Sequence, residues 1–432
     1  RKLNQPELYV ALDLGSNSVK CVIGEVADEN TIHVIGVGVE NSSGINKGNI
    51  VNIDATVASI KRAVAKAERM MGMTVNKVIL GIPANQSSIQ DVKGVVAVNG
   101  DSREISDDDL DRVLESAATM LNSPDHEVVN QIPKKFTVDN LTDIKDPRGM
   151  LGIRLEVDST LISSSKTVLH NILRCVERAG LDVQQIYLKA MTSGNFALTD
   201  DEKSRGTMLL DMGAESTTLS VFKEDILTNV AMIPLGGDNL VKDLSGVLKI
   251  DTSQARELLY DYGRAYCDEK MIKEGLTVPV VGIDFKEQFA LSYIVDILQD
   301  RLSEIFNLVL DELYNQGVED LPGGIVLTGG VANLDGIQKF ANEHFNSRVR
   351  IASPTQMGAR NPELTGAIGV IQYAFVEGMF YGEFSDEAPL EPIQQGNNNY
   401  NDKRTKMDQD QSEEPKQGVM VKLKDMFNRF ID

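Results

Sequence analysis

The sequence lacks tryptophan and has few residues of the types that build metal sites and disulfide frameworks. Its 432 residues include 3 cysteines and 4 histidines, scattered along the chain without the short spacings that zinc sites require. A small, odd number of cysteines suits a reducing compartment better than a disulfide-stapled secreted fold. These absences argue against a structural zinc site, a disulfide scaffold and a histidine-based nucleophilic triad.

The chain also lacks a long hydrophobic run and an excess of positive charge. No stretch approaches the roughly 20 apolar residues that cross a bilayer as a helix, and the first apolar run, residues 8–14, contains Asp13. The formal net charge is −21, from 43 Lys and Arg against 64 Asp and Glu. A field of that sign repels phosphate backbones, so no nucleic-acid partner is expected. We expect a soluble, cytosolic protein.

Up to residue 382, β-rich runs alternate with helical ones in a chain that is 42% apolar and 25% charged. This alternation predicts an α/β protein with largely buried sheets, and the length suffices for two or three domains. The predicted helices are 55–71, 107–121, 165–179, 254–262, 289–316 and 334–345, and the predicted strands include 9–12, 19–26, 33–39, 77–82, 127–138, 150–157, 207–211, 217–222 and 324–328. The first helix places Val57, Ile60, Val64, Ala67 and Met71 at intervals of three and four, which predicts one buried apolar stripe.

The last fifty residues differ in composition from the rest. Residues 383–415 hold 9 acidic and 3 basic residues and few apolar ones, which predicts a disordered linker with a reach of about 30 Å. In residues 416–432 a helix would place seven apolar side chains on one stripe, beside the basic residues Lys422 and Lys424. The stripe consists of Val419, Met420, Leu423, Met426, Phe427, Phe430 and Ile431. Such a helix suits a membrane interface with anionic lipid, or else a groove on a partner or on the protein itself.

The clearest pattern is a repeat separated by about 200 residues. Residues 9–20 read YVALDLGSNSVK and residues 208–218 read MLLDMGAESTT. Each copy is a hydrophobic strand, an Asp-x-Gly turn, small hydroxyl residues and a second strand. Glycine turns present backbone N–H groups that bind anions, and a carboxylate at a strand end can order the waters of Mg²⁺. The pair predicts two hairpins that hold a polyphosphate from opposite sides.

Two further glycine turns fit the same site. Residues 324–334 read GIVLTGGVANL, which predicts a buried strand, a Gly-Gly turn and a helix capped by Asn333. The bare backbone of such a turn can lie against a base and ribose, with helix N–H groups facing a phosphate. Gly236 and Gly237 precede another helical run and are expected to approach the same phosphates.

These residues, in this order, resemble the actin/Hsp70/sugar-kinase superfamily, and residues 361–369 resemble its second connecting helix. The resemblance implies two sheet-based lobes with Mg-ATP in the cleft between them. It implies that Asp13 and Asp211 act on Mg²⁺ through bound water. The implied nucleotide-binding residues are Asp13, Gly15, Ser16, Asn17, Ser18, Lys20, Asp211, Gly213, Ser216, Thr217, Gly236, Gly237, Thr328, Gly329 and Gly330.

The segment 84–164 is similar to the subdomain inserted in FtsA, the bacterial actin-like cell division family. Residues 131–136 (QIPKKF) and 146–152 (DPRGMLG) carry this similarity. The implied organisation is a lobe 1 core in 1–83 and 165–197, an inserted subdomain for polymer contacts in 84–164, a lobe 2 core in 198–244 and 318–356, a small lobe 2 subdomain in 245–317, a connecting helix in 357–382, a linker in 383–415 and a membrane-targeting helix in 416–432.

The FtsA resemblance implies a protein that polymerises on the cytoplasmic face of the membrane at the septum. It would tether the tubulin-like FtsZ ring and recruit later division proteins. The small lobe 2 subdomain would bind the FtsZ C-terminal peptide, with Arg301 and Glu304 as candidate contacts. Two alternatives stay open: a superfamily enzyme such as a small-molecule kinase, and a pilus-assembly or chaperone-type ATP-binding adaptor.

One position departs from the superfamily pattern. Where the first connecting helix often carries a Glu or Gln that orients the attacking water, this chain has Lys189. Water positioning is most of what such a site contributes to hydrolysis. We therefore expect ATP binding with, at most, slow ATPase activity.

Overall fold

The structure is a computed structural model and describes residues 7–28, 31–282, 286–352, 364–381 and 390–392. The strands in this part of the chain are β1 (Glu7–Leu14), β2 (Ser18–Asp28), β3 (Thr31–Asn41), β4 (Ile45–Asn46), β5 (Asn49–Ile50), β6 (Met73–Val75), β7 (Lys77–Ile82), β8 (Ser87–Ala97), β9 (His126–Val138), β10 (Leu141–Ile144), β11 (Arg154–Ser165), β12 (Asp182–Leu188), β13 (Thr207–Met212), β14 (Thr217–Lys223), β15 (Ile226–Ile233), β16 (Gly275–Pro279), β17 (Lys286–Ala290), β18 (Gly324–Thr328), β19 (Val349–Ile351) and β20 (Leu390–Pro392).

The helices in the described residues separate these strands into groups. They are α1 (Ile53–Met71), α2 (Asp107–Ala118), α3 (Lys166–Arg178), α4 (Lys189–Ala197), α5 (Asp200–Arg205), α6 (Gly237–Leu248), α7 (Thr252–Tyr262), α8 (Leu291–Asn315), α9 (Ile337–Phe345) and α10 (Thr365–Tyr381), with short 3-10 helices at Met271–Lys273 and Gly330–Asn333. None of these helices is long and apolar enough to cross a membrane.

Two five-stranded sheets have the same strand order. The first runs β12-β7-β1-β2-β3 and the second runs β19-β18-β13-β14-β15. In each sheet three consecutive strands form an antiparallel meander, and two later strands add in parallel beside the first strand of the meander. The repeat seen in two short sequence segments therefore extends to two whole sheets, one for each lobe.

The local sequence explains why α1 begins and ends where it does. The Asn52 side chain accepts a hydrogen bond from the Ala55 N–H at 2.9 Å, and Gly72 ends the helix with a φ of +63°. Four residues of the predicted apolar stripe, Val57, Ile60, Val64 and Ala67, are buried by the first sheet and its neighbours, and the fifth, Met71, is half-buried. A helix with this pattern buries its apolar face in the core.

The chain between β7 and α3 forms a separate four-stranded sheet. Its order is β10-β9-β11-β8, and α2 covers one side, with its own apolar core around Val113, Phe136 and Leu155. Ser106 and Asp109 form a capping box at the start of α2. The predicted strand at 150–157 instead begins at Arg154 and continues to Ser165, because it pairs along its whole length with both β8 and β9.

Helices α4 and α10 lie between the two large sheets and connect them. They pack on each other, α10 also packs on β1 and β2, and α4 packs on β14 of the other lobe. The absence of a side chain at Gly194 permits this contact, since a Cβ there would lie 2.1 Å from the Phe222 ring. Lobe 1 and lobe 2 are thus joined through a packed apolar layer.

The predicted helix cap at Asn333 and one part of the predicted linker differ from the structure. Asn333 does not cap an α-helix: it ends the 3-10 helix, and α9 begins at Ile337 after Gly336, which has a φ of +76°. Leu390–Pro392, within the predicted linker, pairs antiparallel with β6. The rest of the linker prediction, the helix predicted at 416–432 and residues 357–363 of the predicted connecting helix lie outside the described residues.

Candidate functional site

The two repeated turns have the same hydrogen-bonding geometry. The Gly15 N–H donates to the Ser18 carbonyl oxygen at 3.0 Å, and the Gly213 N–H donates to the Ser216 carbonyl oxygen at 2.9 Å. A Cβ at Gly15 would lie 2.8 Å from that oxygen, so the first turn requires glycine. Asn17, at the tip of the first turn, is exposed. The sequence repeat is therefore a matched pair of turns in the structure.

The aspartates of the repeat occupy equivalent strand ends. Asp13 is paired with Gly81 of the parallel strand β7, and Asp211 is paired with Thr328 of the parallel strand β18. Ligands of open α/β sheets bind outside the carboxyl ends of such strands. The two carboxylates thus lie where a ligand shared by both lobes would bind.

The Gly-Gly turn lies directly beside Asp211. Gly329 has a φ of +90°, and a Cβ there would lie 2.6 Å from Asp211 Oδ1 and 2.5 Å from the Met212 carbonyl oxygen. Gly330 is exposed, and a Cβ on it would meet nothing within 4 Å. This turn therefore presents bare backbone next to the second hairpin.

Gly236 and Gly237 hold α6 against the second turn. The Gly237 and Asp238 N–H groups donate to the carbonyl oxygens of Gly213 and Ala214 at 2.9 and 2.8 Å. A Cβ at Gly236 would lie 2.5 Å from the Gly213 oxygen. The first N–H groups of α6 are thus used within the protein, and the contact of these glycines with phosphate stays a prediction.

The hydroxyl groups of the two turns are in different environments. Ser16 Oγ accepts a hydrogen bond from the Gly48 N–H at 2.9 Å. Ser18 and Ser216 are half-buried at the two turns. Thr217 is fully buried and its hydroxyl donates to the Leu235 carbonyl oxygen at 2.8 Å. This buried hydrogen bond therefore joins the start of β14 to the segment before α6.

The charges of the site come from both lobes. Lys189 Nζ lies 2.6 Å from Asp13 Oδ1, and Asp13 is 3% exposed. Burial by itself raises the pKa of Asp13, but the charges of Lys189 and Lys20 and the Lys189 hydrogen bond outweigh it, so this pKa is below its ordinary value. Burial raises the pKa of Asp211 above its ordinary value, since the same two lysines only partly oppose it and the Asp13 charge adds to it.

The residues fit Mg²⁺ only if the nucleotide supplies most of its ligands. Among the described residues, no group of three or more His, Cys, Asp or Glu side chains is placed to hold a metal ion. Mg²⁺ commonly binds through one or two carboxylates, several waters and substrate phosphates. Asp13 and Asp211 match the protein share of that ligand set.

A cavity of about 250 Å³ adjoins the Gly-Gly turn. Its lining includes Gly330, Asn333, Tyr260, Tyr262, Arg264 and Glu274. Sequence reasoning found only the first two of these, because Tyr260 and Tyr262 end α7 and Arg264 and Glu274 lie between α7 and β16, where no motif marks them. The cavity is open next to the turn that the sequence predicts for a base and ribose.

The predicted partner residue Arg301 is engaged within the molecule. Its guanidinium makes two hydrogen bonds to the Asp243 carboxylate, at 2.6 and 2.9 Å, and one to Glu304 at 2.5 Å. The Arg301 side chain is 25% exposed. Arg301 thus joins α8 to α6, and its contact with a partner stays a prediction.

Comparisons with known proteins agree on one family. The model of "Cell division protein FtsA" matches residues 208–369, and that of the "SHS2 domain inserted in FTSA" matches residues 84–163. FtsA of Bacillus subtilis strain 168 is 42% identical over 394 residues, covering 91% of this chain and 89% of the relative. FtsA of Enterococcus hirae is 40% identical over 367 residues, covering 85% and 83%.

Solved structures show the same fold at low identity. A chain of a PilM–PilN type IV pilus biogenesis complex aligns with a TM-score of 0.56 and 16% identity, covering 84% of this chain and 97% of that one. MreB5 of Spiroplasma citri bound to ADP aligns with a TM-score of 0.55 and 15% identity, covering 87% and 98%. The predicted two-lobed, actin-like α/β fold and the predicted resemblance are both confirmed. The chain belongs to the FtsA family of actin-like cell division proteins.

Proposed function

We propose that this protein binds ATP with Mg²⁺ between its two hairpins and acts as the membrane tether of a division ring. The observation that carries the nucleotide part is the matched pair of Asp-x-Gly turns, each closed by the same hydrogen bond, with the Gly329–Gly330 turn beside the second. The N–H groups of the turns would bind the phosphates, while the bare backbone at Gly329–Gly330 would lie against the nucleoside.

When bound, Mg²⁺ neutralises part of the phosphate charge. Asp13 and Asp211 would position its waters, and Lys20 would pair with phosphate oxygens. The structurally similar MreB5 was solved with ADP, which fits a nucleotide in this cleft. Calorimetric titration of the full chain with ATP and Mg²⁺ should show one site. Absence of binding up to millimolar ATP would refute the nucleotide proposal.

The residue that begins α4 is the reason to expect at most slow hydrolysis of ATP. Lys189 donates to Asp13 and has no lone pair with which to accept a proton from water while it is charged. No carboxylate or amide of α4 takes its place, since Asn195 donates to the Met191 carbonyl oxygen one turn earlier. We expect phosphate release at a rate far below that of actin-like ATPases which carry a water-orienting Glu or Gln.

The membrane part of the proposal rests on the sequence of residues 416–432. Seven apolar side chains on one stripe, with Lys422 and Lys424 beside them, suit an anionic lipid surface on the cytoplasmic side of the division septum. One such helix binds weakly, and a polymer would strengthen the binding through multivalency. Co-sedimentation with anionic vesicles should require these residues.

Self-association is proposed to involve the inserted subdomain 84–164. Leu141, Leu151 and Ile153 are exposed. They lie near one another at one end of the sheet, because Val138 pairs with Leu141 and adjoins Gly152. Exposed aliphatic residues grouped in this way are typical of contact surfaces. Negative-stain imaging of the protein with ATP on lipid should show polymers. Leu151→Glu should shorten the polymers more than the control Met120→Glu, which places the same charge at another exposed position. A strictly monomeric protein would refute the proposal.

Binding of the FtsZ C-terminal peptide is proposed for the subdomain 245–317. Of the five N–H donors of Arg301, three bond Asp243 and Glu304, which leaves two for an acidic peptide group. The same helix carries the exposed aromatic residues Tyr293 and Tyr314, of the type enriched in protein interfaces. Fluorescence anisotropy with the labelled peptide tests this directly. A division ring held in this way would be the platform for later division proteins.

A further inference from the structure

Lys189 is placed against the local preference of its own helix. It is the first residue of α4, and no side chain caps that end of the helix. The helix dipole disfavours a positive charge at this position. Such a departure from a local rule is expected where another interaction depends on the residue.

The surroundings of Lys189 are built to admit its side chain. A Cβ at Gly81 would lie 3.0 Å from Lys189 Cγ, and a Cβ at Gly366 would lie 3.2 Å from Asp13 Oδ2. Two glycines on different elements, β7 and α10, therefore leave room for the lysine stem and for the carboxylate it reaches. The ammonium group then lies 2.6 Å from the carboxylate of Asp13, which is almost completely buried.

The negative charges of the two aspartates in the cleft are matched by the positive charges of two lysines. Asp13 and Asp211 contribute two negative charges, and Lys20 and Lys189 act electrostatically on both of them with two positive charges. Without Lys189, the buried carboxylate of Asp13 and the half-buried carboxylate of Asp211 would share a single cation. That arrangement attracts a divalent metal ion, because buried charges need compensation.

We propose that Lys189 is a positioning residue whose ammonium group compensates the charge of Asp13 when no nucleotide is bound. Mg²⁺ then binds only together with the phosphates of the nucleotide. The inference rests on the proposed function, in that the loaded cleft holds Mg²⁺ with ATP. It adds that the protein without nucleotide has little affinity for the metal. Lys189 acts through Asp13, whose charge and orientation it holds.

Metal alone, without nucleotide, tests the inference in the full chain. Wild-type protein should show no binding of Mg²⁺ below millimolar concentrations and no change in melting temperature when Mg²⁺ is added. Lys189→Met should bind Mg²⁺ at least tenfold more tightly, and Mg²⁺ should raise its melting temperature by several degrees. Lys189→Arg, which keeps the charge, should behave as wild type. The matched control Lys61→Met removes one charge from an exposed position on α1 and should also behave as wild type.

Other results would overturn the inference. Equal Mg²⁺ affinity of wild type and Lys189→Met would show that the lysine does not exclude the metal. A loss of ATP affinity of more than tenfold at saturating Mg²⁺, with no binding of Mg²⁺ alone, would make Lys189 a phosphate ligand instead. If Lys189→Met does not fold, Lys189→Gln takes its place in the same Mg²⁺ titration, because it also removes the charge and its amide can still donate a hydrogen bond to Asp13. Absence of ATP binding by wild type would refute the nucleotide proposal alone.

Discussion

Replacing Gly329 by alanine tests whether the turn after β18 forms part of the nucleotide site. Gly329 has φ of +90° and ψ of 175°, a region that essentially only glycine occupies. The added Cβ would lie 2.5 Å from the Met212 carbonyl oxygen and 2.6 Å from Asp211 Oδ1. Alanine therefore forces either the turn or the Asp211 carboxylate to move.

The size of the effect follows from the backbone strain. A residue held in such a region costs about 1–3 kcal/mol, and each 1.4 kcal/mol of lost binding free energy lowers affinity tenfold. Because the displaced groups are the ones proposed to face the nucleotide, we expect Gly329→Ala to lower the affinity for Mg-ATP by about 10- to 100-fold. The free energy of unfolding should fall by on the order of 2 kcal/mol.

Gly246→Ala is the matched control for this substitution. Gly246 lies within α6, is exposed, and a Cβ on it would meet nothing within 4 Å. Alanine should leave ATP affinity unchanged and stabilise the helix by up to about 1 kcal/mol. Calorimetric titration and thermal unfolding of both variants give the comparison. If Gly329→Ala lost stability yet kept ATP affinity within twofold of wild type, the turn would be strained for a structural reason and the adenosine assignment would be wrong.

Three further predictions concern other parts of the chain. Burial raises the pKa of Glu377, beside the Tyr187 hydroxyl, to about 7; the folded protein therefore binds this proton more tightly than the unfolded chain does, and stability should fall as pH rises from about 4.5 to 7. Glu377→Gln should flatten that fall and be more stable than wild type at pH 8, by on the order of 3 kcal/mol in urea unfolding, and lower stability at pH 8 would contradict this. Deletion of residues 416–432 should abolish vesicle co-sedimentation and leave Mg-ATP affinity unchanged, and retention on vesicles would show that the anchor lies elsewhere. Arg301→Glu should weaken binding of the FtsZ peptide more than tenfold in fluorescence anisotropy; wild-type affinity would exclude this residue while leaving the subdomain as a candidate.

The parts of the fold predicted from sequence are those governed by local patterns. The stripe of α1 is confirmed because apolar residues at intervals of three and four face the core wherever the helix packs. The two hairpins were predictable because an Asp-x-Gly turn between two hydrophobic strands specifies its own hydrogen bonds. The start of α9 was not predictable in this way: the chain after Gly329 forms a 3-10 helix first, and Asn333 ends it.

The two repeated turns, the alternation of strands and helices, and the charge balance of the chain follow from the amino-acid sequence alone. Each of these depends on residues that are close together along the chain. The pairing of Lys189 with Asp13, 176 residues away, and of Arg301 with Asp243 became known from the folded structure. The cavity beside Gly330 is likewise lined by residues from separate elements of the fold. Such contacts depend on how whole sheets and helices pack, and a long, flexible charged side chain has no periodicity that reveals its partner.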